Sequence, residues 1–479
     1  METLCELAGN PQDCAPSIHV AGSKGKGSVT SMLAAMLSAA GYRVARYMSP
    51  HVIDIRERIC LVDACCPAAQ YSPASQNSPV SQRCPAARYF DEEVYIRAGC
   101  ELRQIAEELL PALKDSRPSA ASLFDPKTDE GCEPTFWELL TLLFFLCARY
   151  AKCDVIVAET GMGGRLDSTN VLDPLVSVIT LIELEHTGIL GSTITAIAGE
   201  KAGIIKPGKP LILAKQCDEA LEVFRQKARE KNSPLIYLPE IAELSNIKVT
   251  EQGTDFSLEL VNSSLLTSSN LRVSASLRES FLLSIPLSGK VQAENAALAI
   301  AAVKTAFPRI GEDAIHSGLA SLKIPARFEK IAEEPVFIID GAHTPESLAL
   351  CIETFRSLYG EGGVLLFGCA ADKDAEAMAR IAHPRFARII ITTPGTFKAS
   401  NPDHVYETFA KIAGTEKTLI VKDTKEAVRQ AIEFAEGCRK NSRGDAESQR
   451  KEDDATLPIL GTGSFYLVSE IRKCIVKNG

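Results

Sequence analysis

The sequence has no excess of positive charge, no apolar stretch long enough to cross a bilayer and no two cysteines in a C-x-x-C pattern. Its 52 basic and 61 acidic residues give a net charge of −9, which argues against a nucleic-acid partner. The most apolar run, "LLTLLFFLC" from Leu139, has about half the length of a membrane span and predicts a buried helix. The 15 cysteines indicate free thiols in a reducing compartment. We therefore expect a cytoplasmic protein without membrane contact.

The order of apolar runs along the 479 residues predicts an α/β fold with two domains. Near His19 a strand runs into a glycine-rich turn and then a helix, and buried-strand patterns start at Asp154 and Val176. After Pro325, five short strands repeat this pattern, most of them followed by helical segments. We expect an N-terminal P-loop-type ATPase domain with a mostly parallel sheet over residues 1–322. A C-terminal doubly wound, Rossmann-like α/β domain is expected over residues 323–479.

Less regular segments interrupt this pattern. Residues 61–90 are rich in Ser, Pro, Ala and Cys without periodicity, which predicts an inserted surface loop. Helices are expected over about 90–113 and 135–150. Short alternating runs between about 216 and 288 predict a small antiparallel sheet, and the charged stretch 438–455 predicts a surface excursion.

The stretch "GSKGKGS", Gly22–Ser28, has the features of an anion site. A glycine-rich turn between a strand and a helix points backbone N–H groups at phosphates, and Lys26 would neutralise their charge. A standard P-loop, however, has Ser or Thr directly after the lysine, whereas here Gly27 intervenes before Ser28. Taken alone, the stretch fits either a phosphate loop or a glycine turn without a catalytic role.

Further motifs accompany this loop in a fixed order: "YMSPH", "AETGMGGRLDSTNV" (158–171), "LEHTGILG" (184–191), "IAGEKAGIIKPG" (197–208), "ARFE" (326–329) and "DGAHTPES" (340–347). The series closely resembles the folylpolyglutamate synthase and dihydrofolate synthase family, within the Mur ligase superfamily. In that family Gly follows the lysine of the phosphate loop, so Gly27 matches its pattern. The resemblance implies ATP-dependent amide formation between a folate carboxylate and the amine of L-glutamate, through an acyl phosphate.

The resemblance also implies roles for residues of the phosphate and metal site. ATP phosphates would be bound by Gly25, Lys26, Gly27 and Ser28. Magnesium, at two sites, would be bound by Ser49, Glu159 and His186, and Lys201 would be carbamylated. Lys26, Lys201 and His186 are the expected catalytic residues. The family usually has Asp before the histidine, whereas this chain has Glu185.

The remaining implied roles concern the rest of ATP and the folate. Asn295, Arg327, Asp340 and His343 resemble the family's contacts to adenine and the ribose-phosphate, although Thr344 stands where relatives commonly have Asn. The folate side would be formed by Phe136, Trp137, Glu138, Arg165, Leu166 and Asp167. Phe136 and Trp137 could instead be plain core residues, so Glu138 and Asp167 are the better candidates.

Three questions stay open at this level. These motifs are shared by relatives with folylpolyglutamate synthase activity, dihydrofolate synthase activity or both, so reduced folate and dihydropteroate are both candidate substrates. We expect the protein to be a monomer. A peptidoglycan-precursor ligase and an inactive nucleotide-binding relative are the alternatives. The stretch before the phosphate loop is also shorter than in relatives, and we expect the true start to lie upstream of Met1.

Overall fold

The computed structural model describes residues 1–63, 87–109, 134–261, 278–395, 399–441 and 456–476. The strands are β1 Ser17–Ala21, β2 Val44–Tyr47, β3 Ile59–Val62, β4 Arg88–Tyr89, β5 Val155–Glu159, β6 Val176–Ile179, β7 Leu211–Leu213, β8 Leu235–Tyr237, β9 Ala242–Thr250, β10 Gly253–Val261, β11 Arg278–Ile285, β12 Glu329–Glu333, β13 Val336–Ile339, β14 Gly363–Phe367, β15 Phe386–Ile391, β16 Thr418–Ile420 and β17 Ile459–Thr462.

The α-helices are α1 Glu2–Leu7, α2 Lys26–Ala39, α3 Glu92–Gln104, α4 Phe136–Tyr150, α5 Thr187–Leu190, α6 Ile194–Lys201, α7 Asp218–Glu230, α8 Leu238–Ile241, α9 Lys290–Ala306, α10 Glu312–Ala320, α11 Pro345–Tyr359, α12 Ala375–Ala382, α13 Pro402–Ala413, α14 Thr424–Asn441 and α15 Phe465–Val476. None of these described helices is long and apolar enough to cross a membrane. Ten described cysteines are free thiols.

The first sheet has eight strands in the order β4-β3-β2-β5-β1-β6-β7-β8. The last six strands in this order, β2, β5, β1, β6, β7 and β8, are parallel to one another. Strands β1, β5 and β6 are buried along their whole length, as their continuous apolarity predicts. Because β1 lies between β5 and β6, the segments that follow these three strands meet at one edge of the sheet. In open α/β sheets, ligands bind at such an edge, where the strand order reverses.

The second sheet has six strands in the order β12-β13-β17-β14-β15-β16, all parallel except the edge strand β12. Separate clusters of buried residues cover its two faces, which is the doubly wound arrangement. The α/β class and the two mostly parallel sheets are thus confirmed, although no sequence pattern predicted β12. A third, antiparallel sheet of β9, β10 and β11 shares a core with α2 and the first sheet.

Three sequence-based boundaries were wrong. Residues 61–90 are not one loop, because residues 61–62 complete β3 and residues 88–89 form β4, which pairs with β3; residues 64–86 lie outside the described part. The segment 216–288 is antiparallel only from residue 242, since residues 218–237 form α7 and the parallel strand β8. The surface excursion 438–455 starts inside α14, which continues to Asn441, and residues 442–455 are not described.

Candidate active site

The phosphate loop leaves the centre of the first sheet and enters α2. Gly25, the N-cap of α2, has φ of 87°, and a Cβ there would lie 2.5 Å from Asn295 Oδ1, so both its backbone and its space favour glycine. Lys26 is the first residue of the helix, and its Nζ lies 3.4 Å from Ser23 O. The first N–H groups of a helix have no partner within it, which makes this end of α2 an anion site.

Gly27 faces a carboxylate and a guanidinium. A Cβ at this position would lie 3.4 Å from Glu159 Oε2 and 3.9 Å from a terminal nitrogen of Arg327. It would also lie 3.3 Å from Met48 Cε, so the further atoms of a Ser or Thr side chain would enter a space that is already in contact on three sides. The glycine that departs from the standard P-loop therefore leaves space for residues from β5 and from the C-terminal half of the chain.

Glu159 ends β5 as a buried carboxylate beside the loop. Its Oε2 accepts a hydrogen bond from Ser49 N at 3.3 Å. Burial raises its pKa to about 7, although Lys26, the Ser49 N–H, Arg327 and Arg58 all favour the charged form. Because positive charges favour its ionised form, this buried carboxylate is suited to bind a cation at the C-terminal edge of the sheet.

Glu185 connects the two halves of the chain. Its Oε1 lies 3.4 Å from Lys24 Nζ in the phosphate loop and 3.4 Å from His343 Nε2, which follows β13. Burial opposes its charge, but the hydrogen bond with His343 and the nearby Lys26 and Lys24 outweigh burial, so its pKa is held well below the usual range. Glu185 thus contacts a lysine of the phosphate loop and a histidine of the second half of the chain at the same time.

His186 has φ of 53°, and its Nε2 lies 3.8 Å from Glu185 Oε1. Burial lowers its pKa to about 4, against the charge of Glu185 and with help from Lys373, Lys26 and Lys201. The imidazole is therefore neutral at neutral pH, which is the form that binds metals. Lys373 lies in the loop after β14 and was not among the sequence-predicted residues.

Lys201 is a buried lysine at the end of α6. Its Nζ donates to Gly22 O at 2.7 Å, where the phosphate loop begins. Burial lowers its pKa to about 7, with a further contribution from Lys26. A substantial fraction of this amine is unprotonated at neutral pH, whereas an exposed lysine stays charged.

Arg327, Asp340 and His343 meet at the C-terminal edge of the second sheet. The Arg327 guanidinium lies 4.8 Å from the ring centre of Phe465. Asp340 accepts the N–H groups of Phe328 and Ala342, both at 2.8 Å, and burial raises its pKa against the charge of Arg327. His343 Nδ1 lies 2.8 Å from Gly341 O. These contacts hold the three side chains in the cleft that faces the phosphate loop.

The residues expected on the folate side lie around the first turn of α4 and the loop after β5. Phe136 and Trp137 are exposed by 55% and 47%, so they are not core residues. Glu138 caps α4 through Thr135 and pairs with the Met1 amino group. Leu166 is also exposed, and Arg165 pairs with Glu200.

Asp167 ends a hydrogen-bonded chain that begins in β1. Thr169 donates to its Oδ1 at 2.5 Å, and His19 Nε2 lies 2.7 Å from Thr169 Oγ1. Because the threonine hydroxyl donates to the carboxylate, it must accept from His19, which carries its proton on Nε2. Burial lowers the pKa of His19 to about 3, with a contribution from Lys206.

This burial predicts acid sensitivity. An unfolded histidine has a pKa near 6.5, so between about pH 6.5 and pH 3 the unfolded chain binds a proton that folded His19 excludes. The stability that neutral His19 contributes is fully present above pH 6.5 and is lost as pH falls, by about 1.4 kcal/mol per pH unit. Urea unfolding at pH 7 and pH 5 should show a smaller loss in His19→Gln, which keeps an N–H donor. An identical loss in both proteins would contradict this assignment.

One residue that sequence reasoning missed lies between these groups. Arg58 donates from Nε to His51 Nδ1 at 2.9 Å, and its guanidinium lies 4.8 Å from the Trp137 ring centre. The available signal was the run "SPHVIDIRERI", which places Arg58 shortly after Ser49.

Comparison with known proteins gives matches over both halves. Residues 128–303 match the Mur ligase middle domain, and residues 326–438 match the Mur ligase glutamate ligase domain. Folylpolyglutamate synthase of Lacticaseibacillus casei and dihydrofolate synthase/folylpolyglutamate synthase of Bacillus subtilis are each 30% identical, over 99% of this chain and 93% of the relative. The solved structure of an FPGS–AMPPCP–folate complex is similar with a TM-score of 0.72 and 28% identity, covering 98% of this chain and 93% of that one.

Proposed function

We propose a specific folate ligase reaction for this chain, which belongs to the folylpolyglutamate synthase and dihydrofolate synthase family of Mur ligases. It is an ATP-dependent ligase that adds L-glutamate to folate. The finer proposal is that reduced folate is the main acceptor and dihydropteroate a second one. The observation that supports the ligase reaction is the position of Gly27, where Glu159 of the first half and Arg327 of the second half converge on the phosphate loop.

The reaction that we propose has two steps. A folate carboxylate oxygen attacks the γ-phosphorus of ATP, so that an O–P bond forms, the bond to the β-phosphate oxygen breaks and ADP leaves. The glutamate amine then attacks the acyl carbon, loses a proton and displaces phosphate. Lys26 and Arg327 would neutralise the negative charge that spreads over the phosphoryl group, and the N–H groups of Gly25 to Ser28 would orient it.

Magnesium fits the residues at this edge of the sheet. Glu159 offers a buried carboxylate, Ser49 lies beside it and His186 is neutral. The described residues contain no cluster of three or more His, Cys, Asp or Glu side chains that could hold a metal. Magnesium, which keeps much of its water and bridges phosphates, needs only one or two protein ligands of this kind, and it would supply charge neutralisation for the phosphates.

The remaining assignments follow the cleft. We propose that Asn295 and Arg327 bind the adenine and ribose-phosphate side of ATP, with Asp340 and His343 at the same edge. We place the domain boundary between residues 322 and 323, before the second sheet begins.

Since Lys26, Glu159 and Arg327 meet within one chain, we propose that the active protein is a monomer. The free thiols of its described cysteines fit a location in the cytoplasm.

The test is a substrate panel. With ATP, Mg²⁺ and L-glutamate, tetrahydrofolate should give phosphate release, and product mass should show one added glutamyl residue per phosphate. A muramyl peptide precursor should give none, and dihydropteroate should be turned over more slowly. Turnover with the muramyl peptide alone would establish a peptidoglycan-precursor ligase. ATP binding without turnover in any arm would establish an inactive nucleotide-binding protein.

A further inference from the structure

Arg58 is a buried cation at the active-site edge of the first sheet. It is the last residue of a short 3-10 helix, Ile55–Arg58, and is 6% exposed. Its carbonyl accepts from Met48 N at 3.0 Å, directly after the C-terminal end of β2, which places Arg58 at the same edge as Ser49 and Glu159.

The hydrogen bond and the ring contact of the guanidinium are both with uncharged side chains, and the charge of Glu159 acts on it from beyond ion-pair distance. The Arg58 Nε donates to His51 Nδ1 at 2.9 Å, so that nitrogen carries no proton. Among the described residues no carboxylate oxygen lies within ion-pair distance of Arg58, whose charged neighbour Glu159 acts at longer range. Burial also lowers the pKa of Arg58, with Tyr47, Tyr466 and Glu159 opposing. A buried charge without an opposite partner destabilises the fold, so an anionic ligand would relieve this site.

Arg58 differs in its location from Arg46, another buried arginine. Arg46 also lacks an ion pair in the part of the chain that the structure describes, but it lies inside β2 and donates to Ser31 Oγ at 3.4 Å. Arg58 instead lies beyond the strand ends, within the electrostatic reach of Glu159. Lack of a partner alone would not identify a ligand site, whereas this location does.

An exposed aromatic surface adjoins the guanidinium. Phe136 and Trp137 form an edge-to-face pair with ring centres 5.1 Å apart, and Trp137 also lies against Arg58. Large aromatic side chains this exposed offer a flat apolar surface to an aromatic ligand. Arg58 therefore lies between the aromatic surface of Phe136 and Trp137 on one side and Glu159, beside the phosphate loop, on the other.

We infer that Arg58 binds the α-carboxylate of the terminal glutamyl residue of folate. This inference rests on the proposed function. The γ-carboxylate must reach the phosphates to react, and the α-carboxylate of the same residue stays charged and lies a few bonds away. Dihydropteroate has no such second carboxylate, so Arg58 would favour acceptors that already carry glutamate.

The test compares tetrahydrofolate with an analogue whose α-carboxylate is a carboxamide and whose γ-carboxyl is intact. Trp137 is the single tryptophan of the chain and lies against Arg58, so its fluorescence should report folate binding without catalysis. The carboxamide should bind wild type about 10- to 100-fold more weakly, as expected for loss of a charge-assisted contact. Arg58→Gln should weaken tetrahydrofolate by a similar factor and leave the carboxamide almost unchanged.

Controls separate this role from a structural one. Arg56→Ala removes a neighbouring arginine that pairs with Asp54 on the surface and should change neither affinity. Arg58→Lys should restore part of the preference, and KM for ATP should stay within about twofold in all variants that melt like wild type. An Arg58→Gln protein that weakens both folates equally, or that raises KM for ATP, would overturn the inference. Because binding is measured directly, a wild type that binds folate without ligating it would contradict only the proposed function.

Discussion

Lys26→Ala is expected to slow ligation by about 10²- to 10³-fold, the usual effect of removing one preorganised charge contact from a transition state. Lys26 opens α2, and its Nζ has only a long contact to Ser23 O at 3.4 Å among the described residues, so the ammonium is available for phosphate. Backbone N–H groups would still orient the phosphates but would not neutralise them. Single-turnover rates at saturating MgATP measure the change.

Lys24→Ala is the matched control. It removes a lysine two residues away that is already paired with Glu185, and so should affect domain contact more than the rate of chemistry. Lys26→Arg keeps the charge but changes its shape and reach, and should recover only part of the rate. Near-normal turnover in a folded Lys26→Ala protein would contradict the assignment of this loop.

The fold was largely predictable because its parallel strands are buried on both faces. "VIVAE" and "VSVI" are apolar at nearly every position, a pattern that few other structures produce. Strand β8 has only three residues, and α7, the helix before it, is strongly charged on its outer face. The sequence pattern of neither element therefore differed clearly from that of the surrounding polar segments. The edge strand β12 is only partly buried and alternates weakly.

The sequence motifs propose a set of site residues but do not predict the contacts among them. Motifs identified Lys26, Glu159 and Arg327 as candidates, yet no local pattern shows that they meet at Gly27. The contact between Arg58 and Trp137 joins segments 79 positions apart and depends on how α4 packs beside β2 and β3. Pairings of this kind are set by tertiary packing, which leaves no periodic signal in the sequence.

Lys201→Ala is expected to lower ligation by at least about 10²-fold, since we propose that Lys201 acts as a carbamate. The unprotonated amine adds to CO₂, forms an N–C bond and releases a proton, which converts a buried cation into an anion. Its pKa of about 7 makes this possible near neutral pH. Lys206→Met is the control, because Lys206 is half-buried and its pKa is likewise lowered by burial, but its Nζ donates to Asn170 O. It should retain most activity.

Carbamate formation at Lys201 should increase with pH. The reactive amine is the neutral form, so its fraction rises as pH increases through about 7, and protein stripped of CO₂ should regain activity on adding bicarbonate more fully at pH 8.5 than at pH 6.5. Glu159 also titrates near pH 7, so an acid limb alone does not identify Lys201. Bicarbonate dependence does, and it should vanish in Lys201→Ala, where acetate should restore part of the activity by occupying the space of the carbamate. A wild type indifferent to bicarbonate, with no ¹³C carbamate signal after labelling, would show that Lys201 acts as an amine.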